Sequence, residues 1–199
     1  MEYASRAPAP MRVEDMILGL VFIACLLTVP LARGRLTALG ELRLQRPWLA
    51  LAGIGVQIAI ISIWPGAPEW LSESVHMLSY VLLGAFAWSN RAIPGVPVIM
   101  LGGLLNFVCI AANGGVMPAD PDLARHVAGD DGFVNSGAME NPRLLFLGDV
   151  FATPDWLPVY NVYSVGDAVI VLGVLVLLHA VCGTRLVPRR WRVAAPARA

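Results

Sequence analysis

Five apolar runs, at residues 16–32, 48–64, 71–88, 95–112 and 165–182, limit what this chain can fold into more than any other feature. A helix that crosses a bilayer needs roughly 20 mostly apolar residues, within a range of about 17–25, and each run sits at the short end of that range. Composition points the same way. Of the 199 residues 57% are hydrophobic and 14% charged, whereas soluble domains average about 25% charged. Mean hydropathy is +0.68. This much apolar surface excludes disorder, and a water-soluble fold would leave large patches of it exposed. The expectation is an all-α polytopic membrane helix bundle of five transmembrane helices, forming a single membrane domain over residues 1–199.

Charges between the runs suggest an orientation. The 33–47 connection carries Arg33, Arg35, Arg43 and Arg46 against Glu41. Arg91 follows the third run, and the tail holds Arg185, Arg189, Arg190, Arg192 and Arg198. Under the positive-inside rule these segments face the cytoplasm. Residues 113–163 contain Asp120, Asp122, Asp130, Asp131, Glu140, Asp149 and Asp155 against Arg125 and Arg143, which places that long segment outside. The expected placement is the bacterial cytoplasmic membrane, multipass, with the N-terminus outside and the C-terminus cytoplasmic. Trp48, Trp64, Trp70 and Trp88 lie near run ends, as an aromatic belt would. Membrane lipids are the expected partner. Net charge is zero and no basic stripe appears, so nucleic acid is not.

Cys25, Cys109 and Cys182 fall in separate runs without a C-x-x-C pair or a nearby histidine. Neither a zinc site nor a disulfide framework is indicated, and no metal or cofactor is expected. Phe22-Ile23-Ala24-Cys25 glances at a lipoprotein processing box, but the apolar run continues past it and reads as helix.

Two acids stand in apolar settings. Asp167 opens the fifth run, and Asp149 lies eighteen residues upstream within an apolar stretch at 144–151, with Pro154 and Pro158 between them to turn the chain. The 113–163 segment is expected to pack on the bundle through that stretch, with a polar, glycine-containing middle at 120–137. Two carboxylates close together cannot easily both ionise, so one keeps its proton. Such a pair can activate water with one member and protonate a carbonyl with the other. Asp167 also has a plainer reading, as an acid in the first turn of a helix favoured by its dipole.

Asp149, then Leu157-Pro158-Val159-Tyr160 and Tyr163-Ser164-Val165-Gly166-Asp167, resembles the last third of bacterial lipoprotein signal peptidase. That resemblance implies Asp149 and Asp167 as a catalytic dyad. Leu101-Gly102-Gly103-Leu104-Leu105-Asn106 is similar to a helix of the same family, which implies a supporting role for Asn106. Over most of its length the chain also resembles an uncharacterised family of bacterial multipass proteins, a domain of unknown function. The residues carrying this likeness are Asn90-Arg91, Pro94-Gly95, Gly102-Gly103, Asn106, Asn113-Gly114-Gly115 with Met117-Pro118, Leu147-Gly148-Asp149 and Ser164-Val165-Gly166-Asp167.

The expected function is aspartyl peptidase-like hydrolysis of a peptide bond at the outer membrane surface. Asp149 and Asp167 are the catalytic pair, and Asn106, Asn113, Gly114, Gly115 and Ser164 the substrate-binding residues. A membrane-anchored peptide or a lipoprotein is the substrate class. The alternative is a non-enzymatic multipass protein whose outer loop binds a partner or ligand. Asn113-Gly114-Gly115 fits either a left-handed helix cap or a backbone clamp on substrate. Gln57 and His76 read as hydrogen-bonding between helices, His126 and His179 as isolated, and Arg143 as a solvated loop charge.

Overall fold

The computed structural model describes residues 13–64, 67–124, 136–154 and 161–193. Its helices are α1 (Val13–Leu31), α2 (Pro47–Ile58), α3 (Glu69–Ser89), α4 (Val96–Ala112), the single turn α5 (Pro121–Ala124) and α6 (Val165–Val181). Four short strands lie between α4 and α6: β1 (Met117–Ala119), β2 (Ser136–Ala138), β3 (Phe151–Ala152) and β4 (Val162–Tyr163). β1 pairs in parallel with β2, and β3 pairs antiparallel with β4. The parallel bridge between Ala119 and Asp149 lays residue 149 along β1.

The apolar runs lie on helices, but the membrane-crossing architecture expected from them is overturned. Among the described residues no helix is long and apolar enough to cross a membrane. The physical reasons differ from helix to helix. α4 and α6 have 17 residues each, about 25 Å at 1.5 Å per residue, against a hydrocarbon core of about 30 Å. α2 stops being α-helical after 12 residues and widens into a π-helical turn, Ala59–Ile63. α3 is longer, at 21 residues, but opens with Glu69, Ser72, Glu73, Ser74 and His76. α1 starts with Glu14 and Asp15 and contains Pro30. The five-transmembrane-helix bundle, the multipass placement in the cytoplasmic membrane and the inside–outside assignment of the loops all fall with this finding. The strand pairs further correct the all-α expectation.

Three helices end in the same six-residue closure, each with a left-handed residue after the last turn. The Gly115 N–H donates to the Ile110 carbonyl (3.0 Å), the Thr184 N–H to His179 (3.0 Å) and the Gly34 N–H to Val29 (2.9 Å). The left-handed residue is Gly114 (φ 73°) after α4 and Gly183 (φ 66°) after α6, but Arg33 (φ 59°) after α1.

The helices pack in the order α2, α3, α4, α6, α1. The closest contact is between α4 and α6, which run antiparallel. A Cβ on Gly95 would meet the Gly173 carbonyl at 2.5 Å, and one on Gly102 would meet the Gly166 carbonyl at 2.5 Å. The glycines recur seven residues apart on both helices, so two turns of backbone touch where any side chain would hold the helices apart. Gln57 ties α2 to α3 by donating to Ser79 Oγ (2.9 Å). Buried clusters form around Cys25, Val29, Leu178 and Cys182 between α1 and α6, and around Cys109, Ile110 and Met117 beneath Leu144 and Leu147.

Gly102→Ala should therefore lower stability by about 1–3 kcal/mol through overpacking. The neighbouring Gly103, whose added Cβ would meet nothing within 4 Å, should gain roughly 0.5–1 kcal/mol as alanine through helix propensity. Denaturant unfolding of the two variants reads the contrast.

Candidate functional site

The α4–α6 contact sets Asn106 against the start of α6. A Cβ on Gly166 would collide with Asn106 Oδ1, so the amide occupies space that only glycine leaves open. Ser164 caps α6: the Asp167 N–H donates to Ser164 Oγ (3.0 Å), and the Ser164 N–H donates back to Asp167 Oδ2 (3.0 Å). This is the reciprocal capping box that an S-x-x-D pattern before an apolar run signals. Asn106 Nδ2 donates to Asp167 Oδ1 at 2.8 Å. Ser164 Oγ lies 2.8 Å from Asp167 Oδ2 and 3.0 Å from Asn106 Oδ1, and its single proton can serve one of them at a time. Asp167 is thus half-buried and held by donors on both oxygens.

Asp149 has the opposite environment. It is buried, at 7% exposure, and its backbone is fixed on β1. The Asp149 N–H donates to the Pro118 carbonyl (2.9 Å), and the Asp120 N–H donates to the Asp149 carbonyl (3.1 Å). Gly148 is required before it, because a Cβ there would collide with the Pro118 carbonyl. The carboxyl accepts from Ser136 Oγ at 2.5 Å. Burial pushes its pKa up to about 6; the Ser136 hydrogen bond opposes the rise and the Asp167 charge adds to it. Asp149 therefore keeps its proton to a higher pH than an ordinary carboxylate.

Tyr80 of α3 completes the cluster. Burial, with the charges of Asp167 and Asp149 adding to it, pushes its pKa up to about 12, and the nearby Asn106 opposes the rise. It stays a neutral phenol able to donate. His76, one turn earlier, meets the Tyr80 ring edge-on at 5.3 Å, and burial lowers its pKa.

The cluster thus unites Asn106, Ser164 and Asp167, with Asp149 coupled to them through charge. Asn113, Gly114 and Gly115 have other work. Asn113 Nδ2 donates to the carbonyls of Cys109 (2.8 Å) and Arg143 (2.7 Å), and its Oδ1 accepts from the Arg143 N–H (2.8 Å). The side chain pins the returning loop to the end of α4, while Gly115 lets the chain pass Glu73, whose Cβ would lie 2.7 Å from an added methyl. Arg143 itself is exposed. His126 and the Leu157-Pro158-Val159-Tyr160 stretch, with the turn expected at Pro158, lie outside the described residues. So does most of the 120–137 segment, although Ser136 near its end reaches Asp149.

Ser136 and Tyr80 are the functional candidates that sequence reasoning missed. Ser136 comes from a polar segment without pattern. Tyr80 had one usable signal, its position four residues after His76 on a helix, which puts both on one face. Among the described residues no cluster of His, Cys, Asp and Glu could hold a metal ion.

The chain is similar to an uncharacterised protein of Thermotoga maritima, 31% identical over 110 residues, a stretch that covers 52% of this chain and 62% of that protein. The match thus spans less than two thirds of the relative's length. No solved structure matches. A family model described as a family of unknown function, DUF5317, matches residues 41–179, which include Tyr80, Asn106, Ser136, Asp149, Ser164 and Asp167. With most of its length inside that match, the chain belongs to the DUF5317 family.

Proposed function

We propose that the protein is an aspartate-pair hydrolase that cleaves peptide bonds. The observation that carries this reading is the asymmetry of the two acids: Asp149 is buried with its pKa pushed up to about 6, and Asp167 is half-buried with donors from Asn106 and Ser164 on its two oxygens. Opposed environments of this kind separate an acid from a base. Asp167 takes a proton from water as the water oxygen attacks the scissile carbonyl carbon. Asp149 gives its proton to the carbonyl oxygen. When the tetrahedral intermediate collapses, the C–N bond breaks and the proton held by Asp167 passes to the leaving amine. The proton from the carbonyl oxygen returns to Asp149. Tyr80, kept as a phenol, steadies Asn106 and through it Asp167.

The likeness of Ser164-Val165-Gly166-Asp167 to lipoprotein signal peptidase supports the same roles. Exposed apolar side chains such as Leu51, Ile54 and Ile58 on α2 favour a peptide with an apolar or lipid-linked segment as substrate. A second reading rests on the capping box: Asp167 closes α6 and the cluster only joins α3, α4, α6 and the strands.

Asparagine separates the two readings, because Asp and Asn are similar caps. Purified wild-type protein incubated with apolar peptides should generate new amino termini, measured by mass spectrometry. Asp149→Asn and Asp167→Asn should each reduce the rate by roughly 100-fold or more, the usual size of an acid–base contribution. Full activity in Asp167→Asn, or no cleavage by the wild type, sinks the hydrolase and leaves the scaffold.

Stability should also report Asp149. Its pKa is about 6 in the folded protein against the ordinary value of 3.8, so between these values the folded state binds more protons than the unfolded one. Stability therefore falls as pH rises from about 4 to about 6, by on the order of 3 kcal/mol, and stays lower above that window. Asp149→Asn should flatten this slope in unfolding curves measured at several pH values; an unchanged slope would assign it to other groups.

A further inference from the structure

At the far end of α6 from Asp167, the closures after α1 and α6 frame a cleft of about 480 Å³. Arg33, Arg35 and Arg43 line it together with Glu41, over an apolar floor that includes Ile93 and Val181. The frame is fixed by backbone. The Arg35 N–H donates to the Cys182 carbonyl (3.0 Å) and the Arg185 N–H to Ala32 (3.3 Å). A Cβ on Gly34 would meet Thr184 Cγ2 at 2.5 Å, so the two turns are in direct contact. Below them His179 Nδ1 meets Thr184 Oγ1 (2.9 Å) and His179 Nε2 meets Thr28 Oγ1 (3.2 Å), which locks α1 to α6.

The cations on this frame are uncompensated. Among the described residues none of the three guanidinium groups has a hydrogen-bond or ion-pair partner, and Glu41 is the one acid lining the cleft, so three positive charges less one negative leave two. Arg192, next in the chain to the lining residue Val193, has its Nε buried without an acceptor among the described residues. Arg33 holds the left-handed position that glycine fills after α4 and α6.

We infer that this cleft binds a phosphate monoester carrying an apolar group. A monoester has a charge of about −1.5 to −2 near neutral pH, matching the excess of two. Guanidinium forks suit its oxygens in geometry. The volume lies within the roughly 300–1,000 Å³ of small-molecule pockets, and the apolar lining residues give an alkyl chain a surface to lie against. The monoester can be a soluble metabolite or the headgroup of a lipid such as phosphatidate. This inference is independent of the hydrolase, whose acids lie at the other end of α6.

Calorimetric titration of the purified full chain tests it, with hexyl phosphate, inorganic phosphate and hexanol as probes. Hexyl phosphate should bind at least about tenfold more tightly than inorganic phosphate, and hexanol weakly or not at all, because head and tail each contribute. Arg35→Gln with Arg43→Gln should weaken hexyl phosphate by more than about tenfold. Ala38→Trp, which fills the cleft and keeps every charge, should do the same, while Asp149→Asn should leave binding unchanged. Retained helical circular dichroism shows that each variant is folded. Co-sedimentation with phosphatidylcholine vesicles, with and without phosphatidate, separates the sources: phosphatidate-dependent, Arg35-dependent capture assigns the lipid, and soluble binding alone assigns the metabolite. Equal affinity for hexyl phosphate and inorganic phosphate, no binding of either, or full binding by the folded arginine variant would overturn the inference.

Discussion

The antiparallel contact between α4 and α6 decides where the polar groups of this protein can go. Gly95 against Gly173, and Gly102 against Gly166, remove the side chains that normally keep helix backbones apart. Asn106, four residues after Gly102, then lies over Gly166 with no room to turn away. Its amide must take partners within the contact, and Ser164 and Asp167 provide them. The polar cluster is therefore a consequence of helix approach. A larger residue at position 102 or 166 would separate Asn106 from Asp167 as it separated the helices.

The second acid reaches the cluster by another route. The end of α4 closes through Gly114 and Gly115, and Asn113 fastens the returning loop by bonding to the backbone of Arg143. That closure sets β1, and β1 sets Asp149 by a backbone bridge. Helix packing places one carboxyl and strand pairing the other. This division accounts for their different chemistry. The helix start offers Asp167 a capping backbone N–H and a serine, whereas Asp149 is buried among backbone with Ser136 as its hydrogen-bonding side chain. Burial costs an ionised carboxylate more than one neutral hydroxyl returns, so the proton stays on Asp149 to higher pH.

What was legible in the sequence follows the same division. Helix positions were written in the apolar runs, since hydrophobic content marks buried or apolar-facing helix whatever surrounds it. The surroundings were not written there. Helix length and the polar first turns of α3 decide against membrane crossing, and hydropathy summed over a run is insensitive to both. The inside–outside reading of the arginines failed for the same reason, since it presupposed the membrane. Asp167 was legible as an acid in the first turn of a helix, whereas the capping box it forms with Ser164, though an equally local pattern, went unread. Ser136 was not legible, because its meeting with Asp149 depends on parallel pairing between segments that show no periodicity. Asn113 was legible as polar but ambiguous in role, because a cap and a clamp call for the same residue types.

Charge placement joins the two ends of α6. Its first turn carries Asp167 where the helix dipole is positive, and the arginines of the cleft gather where its carbonyls end and the dipole is negative. Each end therefore gains from the charge it holds, with no long-range field needed from a chain of zero net charge. The difference lies in saturation. Asp167 has donors on both oxygens, so its charge is already answered from within the protein. The guanidinium groups of Arg33, Arg35 and Arg43 have no such answer among the described residues, and half a unit of helix-end charge is small beside their excess of two. The N-terminal end of α6 is electrostatically closed and holds two acids in unlike environments. The C-terminal end is electrostatically open, and an open site of this sign is completed by an anion from outside the chain.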